Sequence, residues 1–198
     1  MNLLFVALTA LAISMAATPS LMRLAPRLRM VDMPDARKVH AEAVPRVGGL
    51  GIVGGALAAV LFWVPEQPWL ASYVFASLVL MAFGAADDSL GLGHYPKFIG
   101  QIVAACAVVY GGDLWVAQLP FLVDPLAPSV GKPFTVFALV GLINAINHSD
   151  GLDGLAGGEV LMSIGAIAYL THGLDVVGML PFAAAVAGGV FGFLRFNT

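Results

Sequence analysis

Seven apolar segments, each near the length of a membrane crossing, divide this chain. They cover about residues 2–22, 48–64, 69–86, 97–112, 134–148, 157–172 and 176–194. A helix needs roughly 20 mostly apolar residues to cross a bilayer. Only 11% of the 198 residues are charged, whereas soluble domains carry about 25%. The sequence therefore predicts an all-α, polytopic transmembrane bundle of about seven helices, with residues 1–198 in a single integral membrane domain.

The basic residues predict how these helices are oriented. A basic stretch directly follows the first segment, which is typical of a retained anchor with an outside N-terminus rather than a cleaved signal peptide. Seven crossings then place the C-terminus in the cytoplasm. Of the nine Lys and Arg residues, only Lys132 falls outside in this arrangement. The positive-inside rule is thus satisfied.

The longest predicted external connection runs from residue 112 to 133. It contains Pro120, Pro125, Pro128 and Pro133, so it cannot form one continuous helix. Its charged residues are expected to be solvated loop charges. They are Asp113, Asp124 and Lys132.

Three polar stretches meet the predicted cytoplasmic face. We call them the basic loop (residues 25–46), the acidic pair (Asp87 and Asp88) and the polar hairpin (residues 144–158). Polar and ionisable groups at membrane helices are costly and usually functional. Their shared face predicts one site that faces the cytoplasm.

The basic loop contains a compact cluster between two prolines and a Gly-Gly pair. Its members are Arg37, Lys38, His40 and Arg46. Such a cluster could bind phosphates through charge-assisted hydrogen bonds. The alternative is that the loop only orients the protein and attracts anionic lipid headgroups.

The acidic pair closes an apolar segment. Two adjacent carboxylates remain ionised together only with water or a cation nearby. Mg²⁺ suits them because it takes one or two carboxylates and completes its shell with water and substrate phosphate. Asp87 and Asp88 point in different directions, so one could instead serve as a base. A solvated helix end is the alternative interpretation.

The polar hairpin reads NAINHSDGLDGLAGG. Its amides and carboxylates recur at every third residue, at Asn144, Asn147, Asp150 and Asp153. On a helical turn each would neighbour the next, and oxygen ligands favour a hard metal. Helix capping around a Gly-rich turn is the alternative. His148 could contact phosphate, but a lone histidine at a membrane surface is more often a bystander.

The combined motifs resemble the polyprenyl-phosphate N-acetylhexosamine-1-phosphate transferases. In order, these motifs are DARKVH and PRVGG, ADDSLGL and KFIGQ, NAINHSDGLDGLAGG, and GFLRFN. The sequences of the DARKVH and PRVGG motifs favour the N-acetylglucosamine-1-phosphate branch over the peptidoglycan enzyme. The resemblance implies transfer of a sugar 1-phosphate from a UDP-N-acetylhexosamine to undecaprenyl phosphate at the bacterial cytoplasmic membrane. UMP is released, and Mg²⁺ or Mn²⁺ is the implied cofactor.

The resemblance also implies roles for individual residues. The acidic pair matches residues used for metal binding or for deprotonation of the lipid phosphate, and Asn147 matches a metal-associated position. Asp150 and Asp153 match acidic residues of an active-site loop. Lys38 and His40 match the basic loop near the nucleotide. The predicted substrate-binding set is Arg37, Lys38, His40, Arg46 and Asn144.

The chain departs from the family pattern in two places. Family members usually carry an apolar residue where His148 stands. They also continue beyond a GFLRFN-like segment to a Met-Gly-Asp segment and a His-rich cytoplasmic loop. We therefore expect residues 1–198 to be the N-terminal portion of a longer transferase.

Other functional classes are less compatible with the residues. A CDP-alcohol phosphotransferase needs Ala-Arg where Gly157 and Gly158 stand, and two further aspartates. A secondary transporter usually places its polar site near the bilayer midplane. A catalytically incomplete fragment or a non-catalytic membrane subunit stays open. No nucleic-acid partner is expected, and a homodimer is a possible assembly.

Overall fold

The computed structural model describes residues 2–32, 44–149, 154–174 and 176–197. Within them the chain forms seven α-helices. They are α1 Leu3–Leu24, α2 Gly48–Trp63, α3 Leu70–Leu90, α4 His94–Cys106, α5 Pro128–Ser149, α6 Leu155–Thr171 and α7 Met179–Leu194. A π-helical turn, Ala107–Gly111, extends α4. The predicted all-α architecture is confirmed, with one small addition. Strands β1 Val31–Asp32 and β2 Val44–Pro45 form a two-residue antiparallel pair.

The helices have the apolar character of membrane spans. By length and composition, α1, α3 and α5 could each cross a membrane, and α2, α6 and α7 are shorter apolar helices. A 16-residue helix such as α2 is about 24 Å long, somewhat less than the roughly 30 Å hydrocarbon core. The chain is therefore a multi-pass membrane protein. Its orientation across the membrane stays a prediction.

The start of α5 differs from the sequence-based prediction. The helix begins at Pro128 rather than near residue 134 and contains Pro133. Proline is tolerated at the first helical position because that position's N–H has no partner within the helix. Lys132 therefore lies on a helix rather than in a loop. It forms a 2.7 Å ion pair with Asp113, so these two charges are not simply solvated.

Helices α1, α2 and α7 form a compact unit in which backbones approach closely. Gly51 and Gly55 of α2 face Thr18 and Ser14 of α1. A methyl group added at Gly55 would lie 2.6 Å from the carbonyl oxygen of Ala10. Small residues four apart permit this approach, and they drive helix association in membranes.

Helix α7 packs against the same unit through its own small residues. Gly188 lies against the backbone of Ala7, and a methyl group there would collide with that carbonyl oxygen. Gly192 faces Leu11 and Ser14 in the same way. A buried apolar cluster continues the interface towards one end of the bundle. It comprises Val6, Ala10, Ala59, Val60, Val64, Leu70 and Ala185.

The other four helices, α3 to α6, are more open. In the described residues α6 buries no side chain, and α5 buries only Gly131 and Thr135. Contacts are local, such as the ring of Phe83 against Gly100 where α3 meets α4. Lipid tails are as apolar as these side chains, so such faces need no protein partner inside a bilayer.

Candidate functional site

The acidic pair lies in the last turn of α3. Gly91 ends this helix in the left-handed conformation, with φ of 64°, which glycine adopts without steric cost. Its N–H donates to the backbone carbonyl of Asp87 at 2.8 Å. Carboxylates at a helix C-terminus are opposed by the helix dipole. The acidic pair therefore requires cationic neighbours.

Two basic side chains from different elements provide them. Lys97 Nζ lies 2.7 Å from Asp87 Oδ2, and Arg46 Nη1 lies 3.7 Å from Asp88 Oδ1. Lys97 is in the first turn of α4, where the dipole also disfavours a cation. Both members of the Asp87–Lys97 pair thus stand at unfavourable helix ends. Such local conflicts are typical of functional sites.

The position of Arg46 is set by packing at the junction between α1 and α2. Its backbone N–H donates to the carbonyl of Met30 at 2.8 Å, next to the short β1–β2 pair. Ala25, Met30 and Val47 form a buried cluster, and Ala85 of α3 packs against it. This apolar contact brings the end of α3, and with it Asp88, to the start of α2.

Helices α4 and α5 are joined by two side-chain amides. Asn144 Nδ2 donates to Gln101 Oε1 at 2.6 Å, and Gln101 Nε2 donates to Asn144 Oδ1 at 3.4 Å. Gln101 is buried and lies one helical turn beyond Lys97 on α4. The amide pair therefore connects the acidic pair's neighbour on α4 to the polar end of α5.

The C-terminal end of α5 carries exposed polar groups. Asn147 and His148 are both exposed. Ser149 Oγ donates to Glu159 Oε2 at 2.6 Å and approaches the carbonyl of Ile146 at 2.9 Å. Glu159 lies on α6, so this bond joins the two helices that flank the turn of the polar hairpin.

The remaining contacts return from α6 to α2 through α7. A methyl group at Gly157 would lie 2.7 Å from Leu194 Cδ2, and Gly48 lies directly against the ring of Phe193. Contacts therefore run from α2 through α3, α4, α5, α6 and α7 and back to α2. They form a closed circuit at one end of the bundle, which we call the site end. Each contact involves a residue of at least one polar or Gly-rich motif.

The predicted site residues fall into two groups. The described group is Arg46, Asp87, Asp88, Asn144 and Asn147, and all of these lie at the site end. The other group lies outside the described residues, so its predicted roles stay predictions. It comprises Arg37, Lys38, His40, Asp150 and Asp153.

Sequence reasoning did not assign Lys97, Gln101 or Glu159 to the site. Lys97 and Gln101 are four residues apart on a helix that is otherwise mostly apolar. Polar side chains at such spacing in a membrane segment are a usable signal. Glu159 likewise stands in the apolar first half of α6. Its partner, Ser149, is ten residues away, beyond the helical spacing that pattern analysis can detect.

The available ligands suit a hard divalent cation. Asp87, Asp88 and Asn147 offer only oxygen donors, which Mg²⁺ and Mn²⁺ prefer. The Asp87 and Asp88 side chains are 24% and 31% exposed, so water can reach them. Within the described residues, no three His, Cys, Asp or Glu side chains lie close enough together to hold a metal ion. With ligands from the described residues alone, a metal here would also use amide oxygen, water or substrate phosphate.

Sequence comparison places this site in a known context. Residues 70–198 match the profile of glycosyl transferase family 4. A Bacillus subtilis relative, described as a "probable undecaprenyl-phosphate N-acetylglucosaminyl 1-phosphate transferase", is 33% identical over 91% of this chain and 51% of its own length. A Mycobacterium tuberculosis decaprenyl-phosphate N-acetylglucosaminephosphotransferase is 36% identical over 99% of this chain and 54% of its own.

A third relative comes from a different branch of the same enzymes. The phospho-N-acetylmuramoyl-pentapeptide-transferase of Desulfitobacterium hafniense is 33% identical over 81% of this chain and 56% of its own length. The chain thus spans about half the length of the curated relatives it matches. The family match covers most of the chain, including the acidic pair, the amide pair and the polar hairpin. The chain belongs to glycosyl transferase family 4.

Proposed function

We propose that the protein transfers an N-acetylhexosamine 1-phosphate, with N-acetylglucosamine as the expected sugar, from a UDP-sugar to undecaprenyl phosphate. The reaction takes place at the cytoplasmic face of a bacterial inner membrane and releases UMP. The observation that carries this proposal is the closed circuit at the site end. It gathers the motifs of six helices around the acidic pair, Lys97 and Arg46. The polyprenyl-phosphate acceptors named for the two transferase relatives support this choice of acceptor.

The proposed reaction is a phosphoryl transfer. An oxygen of the lipid phosphate forms a bond to the sugar-bearing phosphorus of the UDP-sugar. The bond from that phosphorus to the bridging oxygen breaks, and UMP leaves with this oxygen. Such transfers need positioning and neutralisation of charge on the phosphoryl oxygens more than covalent chemistry by the protein.

The described residues have the chemistry for these tasks. Arg46 can donate several hydrogen bonds to phosphate oxygens in a planar array, and Lys97 acts as a compact point charge. Asp87 or Asp88 can accept a proton from a monoprotonated lipid phosphate. The exposed amide of Asn147 can bind a metal or a phosphate.

A divalent cation is part of the proposal. The residues that would hold it are Asp87, Asp88 and Asn147. When bound, it would supply positive charge that offsets the charge of the diphosphate and of the departing UMP. From the resemblance, we assign Lys38 and His40 to the nucleotide side, and Asp150 and Asp153 to the loop beside the phosphates.

The location of the site disfavours transport as the function. The acidic pair and Lys97 stand at helix ends, whereas transporters usually bind substrate and ions near the bilayer midplane. Their ion pairs would also be costly in the centre of a bilayer.

The direct test is release of UMP from membranes that contain the protein. We expect release to require UDP-N-acetylglucosamine, undecaprenyl phosphate and Mg²⁺ together. Asp88→Asn should lower the rate by about 10²–10³-fold, the typical loss for a group that stabilises transition-state charge. Binding of Mn²⁺, followed by electron paramagnetic resonance, should weaken in parallel.

The matched control is Asp113→Asn, the same substitution in a carboxylate that is paired with lysine far from the site end. It should leave UMP release unchanged. If the unmodified protein released no UMP with any polyprenyl phosphate, the proposed activity would be refuted. That result would favour a non-catalytic membrane subunit.

A further inference from the structure

Two asparagines of the polar hairpin differ sharply in their surroundings. Asn144 and Asn147 are three residues apart on α5 and so share one face of the helix. The side chain of Asn147 is exposed and makes no hydrogen bond within the described residues. Asn144 is half-buried and contacts both Gln101 and its own helix. Similar residues in one motif therefore have different physical roles.

The donors of Asn144 are already in use. One hydrogen of Nδ2 goes to Gln101 Oε1 at 2.6 Å, and the carbonyl of Val140 accepts from the same nitrogen at 2.8 Å. An amide group has only two hydrogens to donate. A phosphate group needs donors, so Asn144 has none to offer without breaking one of these bonds. Asn147 has both.

The Gln101 amide is equally committed. Gln101 is only 8% exposed, and its partner in the described part of the chain is Asn144. A buried amide with no partner is expensive, and the low dielectric inside a membrane bundle strengthens each bond. These are also the only side-chain hydrogen bonds that join α4 to α5 among the described residues.

We propose that Gln101 and Asn144 are positioning residues that together fix the register of α4 against α5. Lys97 lies one turn from Gln101, and Asn147 lies one turn from Asn144. The amide pair therefore holds a cationic group and a potential metal ligand at a constant separation. This inference rests on the proposed transferase function for its catalytic consequence. It assigns Asn144 to the support of the site rather than to the substrate.

A double-mutant cycle tests this assignment. Gln101→Leu leaves the half-buried Asn144 amide without its partner on α4, and Asn144→Leu leaves the buried Gln101 amide without its partner on α5. Each variant should therefore lower the unfolding temperature in detergent. Each should also lower kcat by about 10²-fold, since small displacements of catalytic groups have effects of this size. KM for the UDP-sugar should change less than about threefold, because uniform binding is not removed.

The double variant is decisive. Replacing both partners with apolar residues removes the unpaired amides and can be nearly neutral for stability. We therefore expect the unfolding temperature of Gln101→Leu/Asn144→Leu to return most of the way to that of the unmodified protein. Its kcat should be at least about tenfold higher than that of either single variant. If Asn144 bound the substrate, the double variant would stay as inactive as Asn144→Leu, with a raised KM. That result would overturn the inference.

A control variant and the unfolding measurements separate this inference from the proposed transferase function. Gln118→Leu makes the same substitution in the connection at the opposite end, where Gln118 donates to the carbonyl of Leu122 at 3.1 Å, and should change neither property. If the unmodified protein releases no UMP, the proposed function fails. The unfolding temperatures still test whether the amide pair couples α4 to α5. A loss in the double variant equal to the sum of the two single losses would overturn the inference, and a smaller loss would support it.

Discussion

The compact unit of α1, α2 and α7 and the open helices α3 to α6 differ in how closely their neighbours approach. In the compact unit, glycines bring helix backbones into contact, as at Gly55 and Gly188. Among the open helices, α3 and α5 bury only two described residues each, and α6 buries none. The compact unit contributes few polar groups to the site, whereas α3, α4 and α5 carry the acidic pair, Lys97 and Asn147.

This difference suggests a division of labour. Close packing of small residues is rigid and tolerates little change of volume. Groups that bind a lipid substrate need access from the bilayer and from water, which a tightly packed interface would deny. The compact unit therefore serves as a scaffold. Under the proposed function, the open helices present the reactive side chains, and specific polar contacts join these helices at the site end.

The largest expected effect comes from filling a close backbone contact in the compact unit. Gly188→Val places a side chain where the Ala7 carbonyl already lies, and such overpacking should cost about 3 kcal/mol or more. We expect loss of the folded monodisperse protein in detergent, measured by size-exclusion chromatography and thermal unfolding.

Gly165→Val is the matched control for this change. Gly165 lies on the open helix α6, and nothing stands within 4 Å of an added methyl group. Its free energy of unfolding, obtained from thermal unfolding, should change by less than about 1 kcal/mol, as for most surface substitutions. Equal losses in the two variants would remove the distinction between scaffold and open helices.

The next effect concerns two ion pairs of equal length at opposite ends of the bundle. Lys97 and Lys132 each lie 2.7 Å from an aspartate. Lys97→Met should lower UMP release about 10²-fold, because a charge that faces the phosphates is lost. Its stability should fall by no more than about 1 kcal/mol, since the pair is partly exposed.

Lys132→Met should leave UMP release unchanged and have a similarly small effect on stability. A comparable loss of activity in both lysine variants would show that the effect of Lys97→Met is general to ion pairs rather than specific to the site end. The two rates are measured in the same membrane assay, with protein amounts matched by immunoblotting.

A moderate effect is expected at the bond between Ser149 and Glu159. Hydrogen bonds to a charged group contribute about 1.5–3 kcal/mol, so Glu159→Ala should lower UMP release about tenfold. It should also speed amide hydrogen exchange at the end of α5. Glu159→Gln keeps an acceptor oxygen and should retain most of the activity. A Gln variant as impaired as the Ala variant would contradict a purely positioning role for this bond.

The smallest effect is a pH dependence outside the site. The hydrogen bond and charge of Lys132 hold the pKa of Asp113 below its ordinary value of 3.8, with a further contribution from a hydrogen bond with Trp115. Because the folded-state pKa is lowered, the stabilisation is present above the ordinary value. It is lost as pH falls through the lowered pKa.

This effect should be slight because the Asp113 side chain is 75% exposed. Unfolding midpoints of the unmodified protein and Asp113→Asn, measured from pH 6 to pH 3, should differ a little at the upper end and converge at the lower end. A difference that grows as pH falls would have the wrong sign and would contradict the assigned pKa shift.

Much of the helix arrangement could be predicted from local sequence. All seven apolar segments correspond to helices, and the end of α3 near Asp87 was recognised as a polar terminus. The start of α5 differs from the prediction because Pro128 stands at the first helical position, where proline is tolerated rather than helix-breaking. Helix ends depend on capping and nearby packing, which hydropathy does not record.

The sequence by itself determined the membrane class and the succession of helices, and it predicted which residues would bind metal or phosphate. These properties depend on segment length, hydropathy and side-chain chemistry, which are local. Only the tertiary structure decided that Asp87 contacts Lys97, that Asn144 contacts Gln101 and that Ser149 contacts Glu159. Such pairs depend on the register between helices. That register depends on contacts between segments that are distant in sequence, and no single segment contains this information.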